Sequence, residues 1–152
     1  MGPEHVSYLL RGAVVTVMLA VATILLSTLV GLVGGMLSAV GGRAVRLALG
    51  AYVYVMRGVP ILVQVFLVYF GLPFFGIRAS PYVVAILAIS LHMSGFVVEI
   101  VRGAIAAVPR GQSDAAMALG MRPSKLFRLV LLPQALIAAM PPYVSLLPVT
   151  VK

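Results

Sequence analysis

Charged positions cut this chain into four long apolar blocks. Residues 12–42, 58–77, 79–98 and 129–151 contain no Asp, Glu, Lys or Arg. A helix crosses a bilayer core with about 20 apolar residues, and about 17 suffice, so every block is long enough to span. The predicted spans are residues 12–40, 59–75, 82–101 and a fourth from 129 onward. The expected fold is all-α, a polytopic transmembrane helix bundle forming a single domain over residues 1–152. Residues 1–11 read as a short polar lead. A cleaved signal peptide does not account for the first block, because its apolar core would run only about 7–15 residues.

The connections differ from one another. Residues 41–56 carry Arg43 and Arg46 ahead of an aromatic run with Tyr52 and Tyr54, a composition that suits the headgroup zone. Arg57 and Pro60 then open the second span, where a proline in the first turn sacrifices no hydrogen bond. Residues 71–81 hold Gly71, Pro73, Gly76, Ser80 and Pro81, all turn formers. The third connection, residues 104–132, is far longer than a linker requires, and such loops tend to be functional. Within it Ser113 or Asp114 is placed to cap a first short helix. Ala115, Ala116, Ala118 and Leu119 form a small apolar face, and Gly120 suits a C-terminal cap. Pro123 starts a second short helix over residues 124–132. The residues alone leave two readings of this loop open: a docking surface for a partner, or an interfacial hairpin that anchors the fold.

Composition sharpens the membrane reading. Of 152 residues, 62% are apolar and 9% charged, with a mean hydropathy of +1.18, whereas a soluble domain carries about a quarter charged residues. The net charge of +8 could point to nucleic acid, but the cations sit between spans and the simpler partner is membrane lipid. Arg43, Arg46 and Arg57 fall in the first connection, Arg78 alone in the second, and Arg102, Arg110, Arg122, Lys125 and Arg128 in the third. Basic residues accumulate on the cytoplasmic side, which predicts an external N-terminus and a cytoplasmic 104–132 loop.

Few residues offer chemistry. Glu99 stands three positions before Arg102, a spacing that pairs opposite charges on one helix face, and a structural ion pair is preferred over an intramembrane functional acid. Gln64 and His92 lie inside spans, where they either line a polar path or bond a neighbouring helix. Gly31 and Gly35 have the spacing that lets membrane helices approach closely. A phosphate-binding loop needs a lysine following a glycine, and neither Lys125 nor Lys152 does so. With no cysteine, two histidines and three acids, no metal centre, cofactor site or catalytic group is expected.

Three motifs carry a family resemblance. Gly111-Gln112-Ser113-Asp114-Ala115-Ala116-Met117-Ala118-Leu119-Gly120, followed by Leu132-Pro133-Gln134-Ala135, resembles the "EAA" signature of ABC-importer permease subunits, with Asp114 in place of the usual Glu. Arg57-Gly58-Val59-Pro60-Ile61-Leu62-Val63-Gln64 with Tyr69-Phe70-Gly71-Leu72-Pro73, and Glu99-Ile100-Val101-Arg102-Gly103-Ala104-Ile105 with Val108-Pro109, resemble stretches of the polar amino acid permeases. The resemblance implies a non-catalytic permease subunit of the bacterial inner membrane. It further implies that Asp114, Ala115, Ala116 and Gly120 couple to a separate ATP-binding cassette subunit. The implied partners also include an extracytoplasmic solute-binding protein and a second permease subunit. The group usually has an Asn near Ser145, a Lys-Asp-Thr-Ser-Leu run at Lys152 and a fifth span, so the chain is expected to be C-terminally truncated. Other readings are an importer permease for another small solute, a self-powered carrier or channel, and a structural anchor. A carrier would call for intramembrane titratable pairs or an inverted repeat, and the sequence displays neither.

Overall fold

The structure, a computed structural model, describes residues 3–151; the expectation attached to Lys152 lies outside them. Helix α1 (Pro3–Val40) is followed by α2 (Arg43–Gly58), α3 (Ile61–Gly71) and a 3-10 turn (Leu72–Phe75). Then come α4 (Pro81–Ala107), α5 (Arg110–Ala118), α6 (Pro123–Leu126), a π-helical turn (Phe127–Leu131) and α7 (Leu132–Val151). Among the described residues there is no strand. Three helical stretches are long and apolar enough to cross a membrane, Ser7–Val40, Pro81–Ala107 and Pro123–Pro148, and α2 with α3 forms a fourth if the bent pair is one span.

α4 is the central post. Its Val84, Ala88, Met93, Val97, Val98 and Val101 are buried, and α1, α2, α3 and α7 all pack on it. α1 runs parallel to α4: Ser90 Oγ donates to the Thr23 carbonyl at 3.4 Å, and further along Gly31 faces Val97 and Gly35 faces Val101. A Cβ built on Gly34 would stand 2.8 Å from Val98 Cγ2, and one on Gly35 would stand 2.5 Å from Val101 Cβ. The small residues therefore serve a contact inside this chain. Lipid tails are as apolar as leucine, so close packing of this kind, with buried polar bonds, holds membrane helices together.

α7 returns antiparallel. Ala135 and Ala139 bury against Ala104, with Ile100, Ile105 and Val108 around them, while towards the other end the Tyr143 and Thr28 hydroxyls are hydrogen-bonded. Pro141 and Pro142 lie within this helix, which membrane helices tolerate because neighbours re-satisfy the freed backbone.

The second span departs from expectation. The expected helix is present as Ile61–Phe75, α3 with the 3-10 turn, but α3 itself has only 11 residues, about 16 Å of rise, and does not cross alone. α2 is a full helix of 16 residues that meets α3 at 107°. The break falls at Val59 (φ −92°, ψ 130°) and Pro60 (φ −55°, ψ 136°). Proline clashes with a helical predecessor and brings no N–H of its own, so the chain is extended there. Tyr52, expected in the headgroup zone, instead donates its hydroxyl to the Leu91 carbonyl at 2.9 Å and contacts Ser94 Oγ, near the middle of α4.

Candidate functional site

The 104–132 loop folds into two short helices joined by a tight turn. α5 begins at Arg110, directly after Pro109 (ψ 133°), with no side-chain cap. Ser113 and Asp114 thus stand inside the helix rather than at its N-cap. Pro109 ends α4 and starts α5 in one step, which leaves no room for a later start. The other end matches its expected cap: Gly120 takes φ 73°, its N–H meets the Met117 carbonyl at 2.9 Å, and the Met121 N–H meets that of Ala116 at 3.1 Å. This pair of bonds closes a helix through a left-handed residue, a conformation glycine adopts without a Cβ penalty.

The small residues of α5 divide between two faces. Asp114, Ala115 and Ala118 are exposed, and Leu119 at the tip is 84% exposed. Ala116 is only 5% exposed and faces the rest of the loop, so it does not belong to the apolar face assigned to it from the sequence. A bulky charge at Ala116 would spoil the loop's own packing before it reached any partner.

The second helix of the loop does not stop at residue 132. Pro123, at the N-terminal turn where proline is favoured, opens α6, which runs on through the π turn into α7 as one helix, Pro123–Pro148. Pro133 lacks the N–H for an ordinary turn and its ring crowds the carbonyl four residues back. The wide turn just before it, closed by the Leu132 N–H on the Phe127 carbonyl, takes up the misfit. Gln134 Nε2 donates to Gln112 Oε1 at 3.4 Å and ties α5 to α7.

A second polar cluster sits at the break between α2 and α3. Gln64, 7% exposed, donates from Nε2 to the carbonyls of Met56 at 2.9 Å and Val59 at 2.8 Å, and the same nitrogen lies 3.0 Å from His92 Nδ1. In an unbroken helix the Met56 carbonyl would accept from residue 60, but Pro60 has no N–H. The Gln64 amide supplies that missing donor from one turn beyond the break. Gln64→Leu should leave two carbonyls unpaired in an apolar setting and cost about 2 kcal/mol, read as a lower thermal unfolding midpoint of the purified chain. An unchanged midpoint would show that the break holds itself.

Glu99 and Arg102 form a two-pronged ion pair on α4: Arg102 Nε donates to Glu99 Oε2 at 3.0 Å, and its terminal nitrogen bonds Oε1. Arg57 is a residue that sequence reasoning misplaced. Counted as a loop cation, it lies instead beside Gly95, with Cγ 3.8 Å from the position of a Cβ there, near the midpoint of α4. Its guanidinium stands 5.1 Å over the Phe96 ring. The signal that could have found it was the Val59-Pro60 step, since a break there lets α2 carry Arg57 to mid-depth. Arg46, Arg57, Phe96, Glu99 and Arg102 line one open-sided cavity of about 750 Å³ between α2 and α4. Among the described residues no group of acids and histidines forms a metal site.

Comparison with known proteins places this geometry. Residues 31–152 match the family described as "Binding-protein-dependent transport system inner membrane component". The chain is 42% identical over 96 residues to the probable amino-acid ABC transporter permease protein YckA of Bacillus subtilis (strain 168), covering 63% of this chain and 42% of that protein. It is 31% identical over 136 residues to the glutamine transport system permease protein GlnP of Escherichia coli (strain K12), covering 88% and 62%. The chain thus spans less than two thirds of the length of either relative. Among solved structures it superposes on an amino acid ABC transporter crystallised with histidines (TM-score 0.82, 29% identity, 100% of this chain and 74% of that one). An inward-facing methionine ABC transporter, MetNI, shares the fold at TM-score 0.81 and 23% identity, over 99% of this chain and 73% of that one. A family match over most of the chain, on a helical bundle that carries the EAA-type loop as an ordered double helix, makes this protein a member of the binding-protein-dependent transport system inner membrane components.

Proposed function

We propose that this chain is the permease subunit of an ATP-driven importer for polar amino acids. It contributes to the translocation path and docks a separate ATP-binding cassette subunit through its 109–133 loop. Asp114, Ala115, Ala116 and Gly120 form the coupling element, with Ala116 inside it and the others on its surface, while Gln64 and His92 brace the broken span beside the path. The chain itself is non-catalytic, and its further partners are an extracytoplasmic solute-binding protein and a second permease subunit. The reading is supported most by the exposed end of α5, where Leu119 is left uncovered by the chain beside Gly120, on a loop continuous with α7. The relatives are named as amino-acid permeases, and that supports the substrate class.

The orientation follows from charge. Because α1 and α4 run parallel, Arg43 and Arg46 share one side with Arg110, Arg122, Lys125 and Arg128, and Arg78 lies on the other. Basic residues favour the cytoplasm, so the N-terminus is external and the loop cytoplasmic, in the inner membrane of a bacterium. Moving Arg57 out of the count leaves this imbalance intact.

Co-expression with the ATP-binding cassette subunits of its host, one at a time, tests the docking. One of them should co-purify, and Leu119→Glu should cut that recovery at least about tenfold, the loss expected of about 1.4 kcal/mol of binding. Its own unfolding midpoint should hold, because Leu119 supports nothing within the chain. Equal recovery with Leu119→Glu would sink the docking reading.

A further inference from the structure

The loop accounts for one end of the molecule and leaves Arg57 without a role. A guanidinium at the midpoint of a span is costly and is kept there for a reason, such as a water-filled cavity or a charged ligand. Among the described residues Arg57 forms no ion pair, since the only one recorded joins Arg102 to Glu99. It feels the charge of Glu99 without a hydrogen bond to it, and the face of Phe96 holds the guanidinium plane but satisfies none of its donors. Arg46, across the cavity, is committed to the Gly41 carbonyl at 3.3 Å, and both prongs of Arg102 are spent on Glu99. The cavity wall therefore has three guanidinium groups against one carboxylate, and Arg57 is the one with its fork of donors free.

We propose that the cavity between α2 and α4 binds a small solute through its carboxylate, with Arg57 as the anchoring residue. This rests on the reading of the chain as a permease subunit and adds to it the site and the group recognised. A planar guanidinium matches a carboxylate through two parallel hydrogen bonds, and Phe96 pre-orients it. The volume of about 750 Å³ lies in the range of small-molecule sites. Glu99 sits on the same wall, one helical turn from Phe96, with both oxygens held by Arg102, which leaves Arg57 as the group that faces the solute. A lipid phosphate is a poor occupant, because mid-depth lies about 15 Å from either headgroup layer.

Thermal unfolding of the full chain in lipid nanodiscs tests this, using the standard L-amino acids as probes and the α-carboxamide of each as its control. At millimolar concentration at least one amino acid should raise the midpoint, and its carboxamide should not. Arg57→Gln should weaken that response by about 10- to 100-fold in the concentration required, the range for losing a charge-assisted bidentate contact. Arg57→Lys, which keeps the charge but not the fork, should retain part of it and remains informative if the Gln variant does not fold. The proposal is overturned if acid and carboxamide act alike, if Arg57→Gln responds as the parent does, or if no amino acid shifts the parent. It is also overturned if anionic lipid shifts the midpoint through Arg57 while the amino acids do not. Recovery of an ATP-binding cassette subunit is scored separately on the same preparations, so an unresponsive cavity with intact docking removes this site and leaves the permease reading standing.

Discussion

Placing valine at both Gly31 and Gly35 should destabilise the chain by roughly 3 kcal/mol or more, since each overpacked contact costs about 1–3 kcal/mol. The two costs are coupled rather than strictly additive, because both glycines face the same helix and one shift of α1 relieves both. At Gly35 even a first carbon would lie 2.5 Å from Val101 Cβ and 3.2 Å from the Val98 carbonyl. The carbonyl belongs to α4 and cannot swing aside as a side-chain tip would. The only relief is to move α1 bodily away, and then the Ser90 bond to Thr23 and the Thr28 bond to Tyr143 lengthen as well. The check is chemical or thermal unfolding in detergent, comparing Gly35→Ala, Val101→Gly and the pair. The pair should recover most of the single Gly35→Ala loss, because it removes the atoms that collide. A double valine variant as stable as the parent would mean that α1 and α4 do not touch here.

Gly120→Val should separate stability from transport. A side chain at φ 73° costs about 1–2 kcal/mol, and β-branching makes the left-handed region still less accessible. No atom lies within 4 Å of a Cβ at Gly120, so the loss is conformational and confined to the turn. The two bonds that close α5, from Gly120 to Met117 and from Met121 to Ala116, need that φ. Without them α5 frays and the surface offered by Asp114, Ala115 and Leu119 loses its shape. ATP-dependent uptake in proteoliposomes with the cassette subunit and binding protein should fall at least about tenfold, equivalent to about 1.4 kcal/mol, while the spans still assemble. Gly120→Asn, a residue that tolerates the left-handed region, should keep most of the activity. Full transport by the valine variant would count against the loop as the coupling element.

How much of this could be read from residues depends on the kind of information each feature needs. The helical class and the third and fourth spans follow from composition, because a bilayer leaves few other options for long apolar stretches. The Gly31–Gly35 spacing announced a close approach, yet a stripe on one helix does not name its partner, and the partner proved to be α4 of the same chain. The second span was misjudged because hydropathy measures how apolar a stretch is and carries nothing about axis direction. Val59-Pro60 does open a helix, α3, but it is also a corner with α2 on its other side. Missing the corner carried Arg57 and Tyr52 to the wrong depth. Ser113 and Asp114 were good capping residues in isolation, but Pro109 had already set the start of α5. The division of Ala115 and Ala116 between opposite faces needed the position of α6, which depends on the turn at Gly120 and on contacts across the loop.

The continuity of α6, the π turn and α7 has a mechanical side. A single helix from Pro123 to Pro148 that rests on Ala104 through Ala135 and Ala139 is a beam on a fulcrum. At 1.5 Å per residue its arms measure about 18 Å from Pro123 to Ala135 and about 14 Å from Ala139 to Pro148. The far arm is pinned to α1 by the Tyr143–Thr28 bond, so a load delivered at Pro123 is carried to α1 as well as to the methyl groups of three alanines.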